Sequence, residues 1–195
     1  MLSAFQQDKN RSEPRWHNTP LPTLNHLHAS MANWLFDLKS LTARLKKMCL
    51  AGTFKVKVNQ QNYQYAYPSE AQLLGLSIRQ VCFIREVHLY CGSRPVVFAR
   101  TCIPLKALTG KYQQLSGLGR KPLGEILFSD PQVSRGGIEI ATFTDANILY
   151  ARAIEPIHTQ APICGRRSLF QLPNQRSLLV NEIFLPSISA AMTAT

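Results

Sequence analysis

The feature that most constrains this chain is alternation. In "VCFIREVHLY" (81–90) apolar side chains recur at every second position; "CGSR" follows, then a second alternating run, "PVVFARTCIP" (95–104). Successive strand side chains point to opposite faces, so two period-2 runs joined by a short Gly-containing loop predict a β-hairpin. The C-terminal part repeats the device, with "RRSLFQL", "PNQR" and "SLLVNEIFLP" predicting a second hairpin. "TFKVKVN" and "GGIEIATFT" alternate as well, and "NYQYAY" either continues the first of these or returns along it.

Helical periodicity appears mainly before the strands. From Leu24 to Cys49, Leu27, Met31, Trp34, Leu35 and Leu38 make one apolar stripe. Ser40 is suited to cap a second short helix carrying Leu41 and Leu45, with the basic residues of "ARLKKM" on its solvated side. "SEAQLLGL" reads as a helical turn, "KPLGEILF" as a short helix with Pro122 in its first turn, and "DANILYARAIE" as a further helical stretch. Helices followed by mostly antiparallel strands predict an α+β domain on a single sheet. At 195 residues the chain suits one domain. Residues 1–22, polar and proline-containing, are expected to be a flexible arm, and 23–195 the domain.

The formal net charge of +11, from 22 basic against 11 acidic residues, suggests an anionic partner without choosing one. Five cysteines without a CxxC pair argue against a disulfide framework or a zinc knuckle and point to a reducing compartment. No apolar run reaches the length of a membrane span, and the first residues lack the apolar core of a secretion signal. A cytoplasmic monomer is the expectation.

Three charges break the strand patterns. Val81, Phe83, Val87 and Leu89 share a face with Arg85; Val96, Phe98 and Cys102 share one with Arg100; Leu178, Val180 and Phe184 share one with Glu182. One reading is a buried ion pair, for instance Arg85 with Glu182, which gains little once desolvation is counted. The other is an enclosed polar pocket. Arginine holds a carboxylate as a planar fork, and a buried glutamate accepts from a hydroxyl or is tuned as an acid or base. A small molecule with a carboxylate at one end and a hydroxyl at the other satisfies both.

Other candidates carry less. His26 and His28 are two apart on a helical pattern and do not share a face, which disfavours a metal site. His88 falls opposite Arg85 and reads as structural. "GLGRK" lacks the spacing of a phosphate loop, and "GRRS" (165–168) either binds an anion or simply opens a strand. The basic residues form no aromatic-interleaved stripe, so nucleic acid is not the expected partner.

In order, "FIREVHLY", "ARTCIP", "GRKPLGEILF", "IEI", "GRRS" and "NEIFLP" resemble the motifs of bacterial chorismate lyases, over residues 80–140 and 165–186 and more faintly at "NWLFDLKSLTARL". The resemblance implies an antiparallel sheet with flanking helices and helical flaps over an enclosed ligand site. It implies elimination of pyruvate from chorismate to leave 4-hydroxybenzoate, a precursor of ubiquinone or plastoquinone, with no metal or organic cofactor. By motif, it implies that Arg85 holds the ring carboxylate, Glu182 meets the hydroxyl end, Leu123 gives a backbone and apolar contact, and Leu41 stands at a flap methionine. Arg100 takes a secondary substrate-binding place. Segment 141–164 is longer here than in compact members. The alternative is a non-catalytic sensor of small aromatic acids on the same fold.

Overall fold

The computed structural model describes residues 11–18, 29–50 and 52–188. Helices α1 (Ala29–Leu35) and α2 (Leu41–Met48) precede strand β1 (Phe54–Tyr65). Helix α3 (Pro68–Leu73) leads to the hairpin β2 (Val81–Cys91) and β3 (Arg94–Pro104). Two 3-10 segments (Leu105–Ala107, Gly110–Gly117) and α4 (Leu123–Ser129) follow, then β4 (Ser134–Phe143), α5 (Ile148–Ile154), β5 (Ile163–Leu172) and β6 (Arg176–Phe184). The strands form one six-stranded sheet in the order β1-β2-β3-β6-β5-β4, and every paired neighbour is antiparallel. The expected α+β class and both hairpins are present. Gly92, at φ +62, makes the left-handed turn between β2 and β3 that a side chain would disfavour. "NYQYAY" continues β1, across an irregularity at Val58/Gln60.

Both faces of the sheet are covered. On one, Trp34 and Leu35 of α1 and Leu41 and Leu45 of α2 pack with Val56, Val87, Leu89, Val97 and Phe184. Farther along that face, Leu123 and Leu127 of α4 pack with Phe83, Ile103, Phe170 and Val180. On the other, Leu149 and Ala153 of α5 lie over Phe98, Phe143 and Ile183. Ser40 caps α2 as expected, its hydroxyl accepting from the Ala43 N–H. Leu38, expected in the apolar stripe, is 66% exposed, because α1 ends at Leu35 and the chain turns before the stripe reaches it.

Two expectations are corrected. Residues 11–18 are not a loose arm: Ser12 bridges Asn147, and His17 pairs antiparallel with Ile140. The physical reason is the free edge of β4, whose unpaired backbone groups this segment takes up. Trp16 stacks edge-on against Phe143, and Glu13 accepts from the N–H and hydroxyl of Ser69. Residues 1–10 and 19–22 lie outside the described residues, as do His26 and His28. Second, Cys49 and Cys91 form a disulfide, with Cα atoms 5.2 Å apart. Spacing along the chain could not show that the end of α2 lies over the end of β2. Cys82, Cys102 and Cys164 are free and buried.

Candidate active site

A cavity lies between the sheet and helices α2 and α4. Its lining includes Arg85, Val87, Thr101, Val180 and Glu182 from the sheet, Leu41 and Thr42 from α2, and Leu123 and Gly124 from α4. The register explains which charges meet there. Arg85 pairs with Thr101, which pairs with Val180; Ala99 pairs with Glu182. Arg85 and Glu182 therefore share a face, two strands over and one row along, about 12 Å between Cα atoms at ordinary sheet spacings. They form no ion pair with each other.

Arg85 is 3% exposed and has no carboxylate partner among the described residues. Its Nη2 donates to the carbonyls of Gly119 (3.0 Å) and Lys121 (3.1 Å), and its Nε is buried without a protein hydrogen bond. Desolvation lowers its pKa to about 10, which leaves the guanidinium charged at neutral pH. An unpaired buried cation is costly, and from the cavity wall this guanidinium is placed to pair with an anion.

Glu182 is held differently. Arg166 Nε donates to its Oε2 at 2.6 Å, and Arg135 Nη2 reaches the same oxygen at 3.4 Å. Among the described residues no hydrogen bond falls on Oε1. Arg166 also donates to the carbonyls of Trp34 and Asp37, at the end of α1 and in the connector to α2. Burial raises the Asp37 pKa, but the Lys39 N–H and the Arg44 guanidinium outweigh it and hold the carboxyl below its ordinary range.

The two helices over the cavity meet closely. A side-chain carbon on Gly124 would stand 2.7 Å from Thr42 Oγ1, so glycine lets α4 approach α2 this far without displacing the Thr42 side chain. Lys46 and Glu125 pair across the same contact. The cavity volume is about 50 Å³, below the ~150 Å³ of an apolar cavity that takes up benzene. Holding an aromatic ligand thus requires the lining to give way, through its side chains or the two roofing helices.

Arg100 is a correction. It faces the other side of the sheet, opposite Glu86 in the register, and does not line the cavity. There it donates to both Glu70 oxygens (2.8 and 2.9 Å) and to Glu86 (2.7 Å), which Arg152 also reaches. Alternation along one strand cannot say which of its faces meets which face of its neighbour. Burial works against the Arg100 charge, but Glu70 and Glu86 prevail and raise its pKa well above the ordinary value. Of the other residues here, Arg166 entered the sequence reading only within "GRRS", and Arg135 and Thr101 were missed. "ICGRRSLF" carried a signal for the first: Cys164, Arg166, Ser168 and Phe170 share a face under the same alternation test.

Residues 15–193 match the family model described as chorismate lyase. The chain is 37% identical over 174 residues to a protein from Nitrosospira multiformis (89% of this chain, 93% of that one). It is 40% identical over 159 residues to one from Methylococcus capsulatus (81% and 96%) and 41% over 160 residues to one from Azoarcus sp. (80% and 83%). Each is described as a probable chorismate pyruvate-lyase. Among solved structures, PhnF from Mycobacterium smegmatis superposes with a TM-score of 0.56 at 14% identity, over 78% of this chain and 66% of that one. A GntR-family transcriptional regulator from Bacillus cereus gives 0.51 at 12%, over 70% and 94%. These two likenesses show the fold alone. Among the described residues no helix is long and apolar enough to cross a membrane.

Proposed function

The chain belongs to the chorismate lyase family, and from that premise we propose that it cleaves chorismate to pyruvate and 4-hydroxybenzoate. The observation that carries the proposal is Arg85: a buried guanidinium with no carboxylate partner among the described residues, in the wall of a cavity that Glu182 also lines. Arg85 takes the ring carboxylate through charge-assisted hydrogen bonds strengthened by the dry surroundings. Glu182, whose Oε1 takes no hydrogen bond among the described residues, accepts from the ring hydroxyl at the other end. Leu41 and Leu123 close on the ring from the two helices, their backbones and side chains shaping the slot.

The reaction asks little else of the protein. The ether C–O bond to the ring breaks, the electron pair leaves with the enolpyruvyl oxygen, and the ring loses the hydrogen beside its hydroxyl. The enol gains a proton at its methylene to become pyruvate, so atoms and charge balance without water or cofactor. Aromatisation drives the step. The protein's part is orientation, exclusion of water, and electrostatic support for the departing oxygen. The net charge of +11 favours approach of a dianion. The same proposal has the product feed quinone synthesis, and the protein work in the cytoplasm as a monomer.

The test is to incubate purified protein with chorismate and measure pyruvate and 4-hydroxybenzoate. Stoichiometric release of both is expected. Saturable binding of 4-hydroxybenzoate with no pyruvate formed would reject catalysis and favour the sensor reading.

A further inference from the structure

We propose that Arg166 is a positioning residue that couples the Glu182 carboxylate to closure of helix α2 over the cavity; this rests on the lyase reading for the role of Glu182. Arg166 is only 1% exposed and divides its donors between two places. Nε holds Glu182 Oε2 at 2.6 Å, while Nη1 holds the carbonyls of Trp34 (2.7 Å) and Asp37 (2.5 Å). Arg135 runs parallel: Nη2 to Glu182 Oε2, Nη1 to the Asp37 carbonyl at 3.4 Å, and Nε to Ser168 Oγ at 3.0 Å. The carbonyls belong to the end of α1 and to the connector 36–40. That connector delivers α2, whose Leu41 and Thr42 roof the cavity.

The consequence follows from the geometry of one rigid fork. Leu41 and Thr42 of α2 and Leu123 and Gly124 of α4 roof the cavity, so a ligand enters as the roof lifts and is held once it closes. When α2 lifts, its connector draws the Trp34 and Asp37 carbonyls from Nη1. A buried guanidinium that loses two acceptors is no longer fixed, and neither is the carboxylate on its Nε. Closure restores all three bonds together. Glu182 therefore reaches its working orientation only under a closed roof, with Oε1 left for the ligand hydroxyl. Lysine cannot substitute fully, since a point charge cannot span both directions as a planar fork does.

The test compares 4-hydroxybenzoate with benzoate, which keeps the carboxylate for Arg85 and lacks the hydroxyl for Glu182. In Arg166→Gln the affinity ratio of the two should fall at least tenfold, with Arg166→Lys in between. Equal weakening of both ligands, with the ratio kept, would mean a purely structural role and overturn the proposal. A second measurement needs neither ligand nor an Arg166 variant. In Glu182→Gln, hydrogen exchange at the hydrogen-bonded amides of Phe36 and Lys39 should quicken at least tenfold. Wild-type exchange there would overturn the coupling. Failure of the wild-type protein to bind 4-hydroxybenzoate or form pyruvate would instead reject the lyase reading, while the exchange result still decides the coupling.

Discussion

Arg85 and Glu182 carry opposite charges, face one cavity, and do not pair. Glu182 is held by Arg166 and Arg135, whereas among the described residues Arg85 has only two backbone carbonyls. Among the described residues the arrangement leaves the Arg85 cation uncompensated in the wall, which suits gripping an anion and is a poor choice for stability alone.

Arg85→Met should therefore separate function from folding. Loss of a charge-assisted carboxylate clamp is expected to cut kcat/KM at least a thousandfold, about 4 kcal/mol. The midpoint of thermal unfolding should hold or rise, because a desolvated charge leaves the interior. Steady-state kinetics and circular dichroism melts on the same preparation check both halves. Wild-type kcat/KM would reject the carboxylate assignment.

Gly124→Ala tests the contact between the two roofing helices. The added carbon meets Thr42 Oγ1 at 2.7 Å and Thr42 Cβ at 3.3 Å, so the Thr42 side chain must turn away or α4 draw back from α2. Product dissociation should quicken by about tenfold, as the fit loses on the order of 1–3 kcal/mol. Stopped-flow release of 4-hydroxybenzoate measures it. Thr42→Ala in the same chain should recover part of the loss, since the hydroxyl is the nearest obstacle.

On the opposite face, Arg100 and Glu70 supply an acid-sensitive support. Burial would raise the Glu70 pKa, but Arg100 and hydrogen bonds from the Tyr67 N–H and Asn181 bring it below the ordinary glutamate value. A carboxyl with a depressed folded-state pKa adds stability above its unfolded value and loses it as pH falls through the folded one. Urea unfolding from pH 7 downward should show stability declining below about pH 4.5. In Glu70→Gln that part of the decline should vanish, with overall stability lower by about 3–5 kcal/mol because Arg100 loses a buried partner. An identical acid limb in the variant would remove Glu70 from this role.

The hairpins, the alternating faces and the anomaly of Arg85 were legible in the sequence because each is a local, period-2 pattern. Glu182 was legible for the same reason. Arg100 misled because facing depends on register, and the pairing of Arg85 with Thr101 is a fact about two strands. Arg166 was visible within "GRRS" but ambiguous, since its partners Trp34 and Asp37 lie about 130 residues away. The docking of residues 11–18 depends on an edge at β4 that exists only once the sheet is assembled.

The Cys49–Cys91 bond makes the last prediction. Cys49 caps the end of α2, its N–H on the Leu45 carbonyl, and Cys91 closes β2, so the bond ties one roofing helix to the sheet. A link across 42 residues restricts the unfolded chain and should add about 2–4 kcal/mol. Cys91→Ser, or reduction before denaturation, should lower the urea midpoint by that amount without changing the slope. The free cysteines are buried, so the native oxidised protein should react slowly with a thiol reagent and gain two reactive groups on reduction. Peptide mass mapping without reductant identifies the linked pair. In a reducing compartment the two thiols would separate, and the lowered midpoint would then describe the working protein. Five titratable thiols in denatured, unreduced protein, with an unchanged midpoint in the serine variant, would show that no such tether forms.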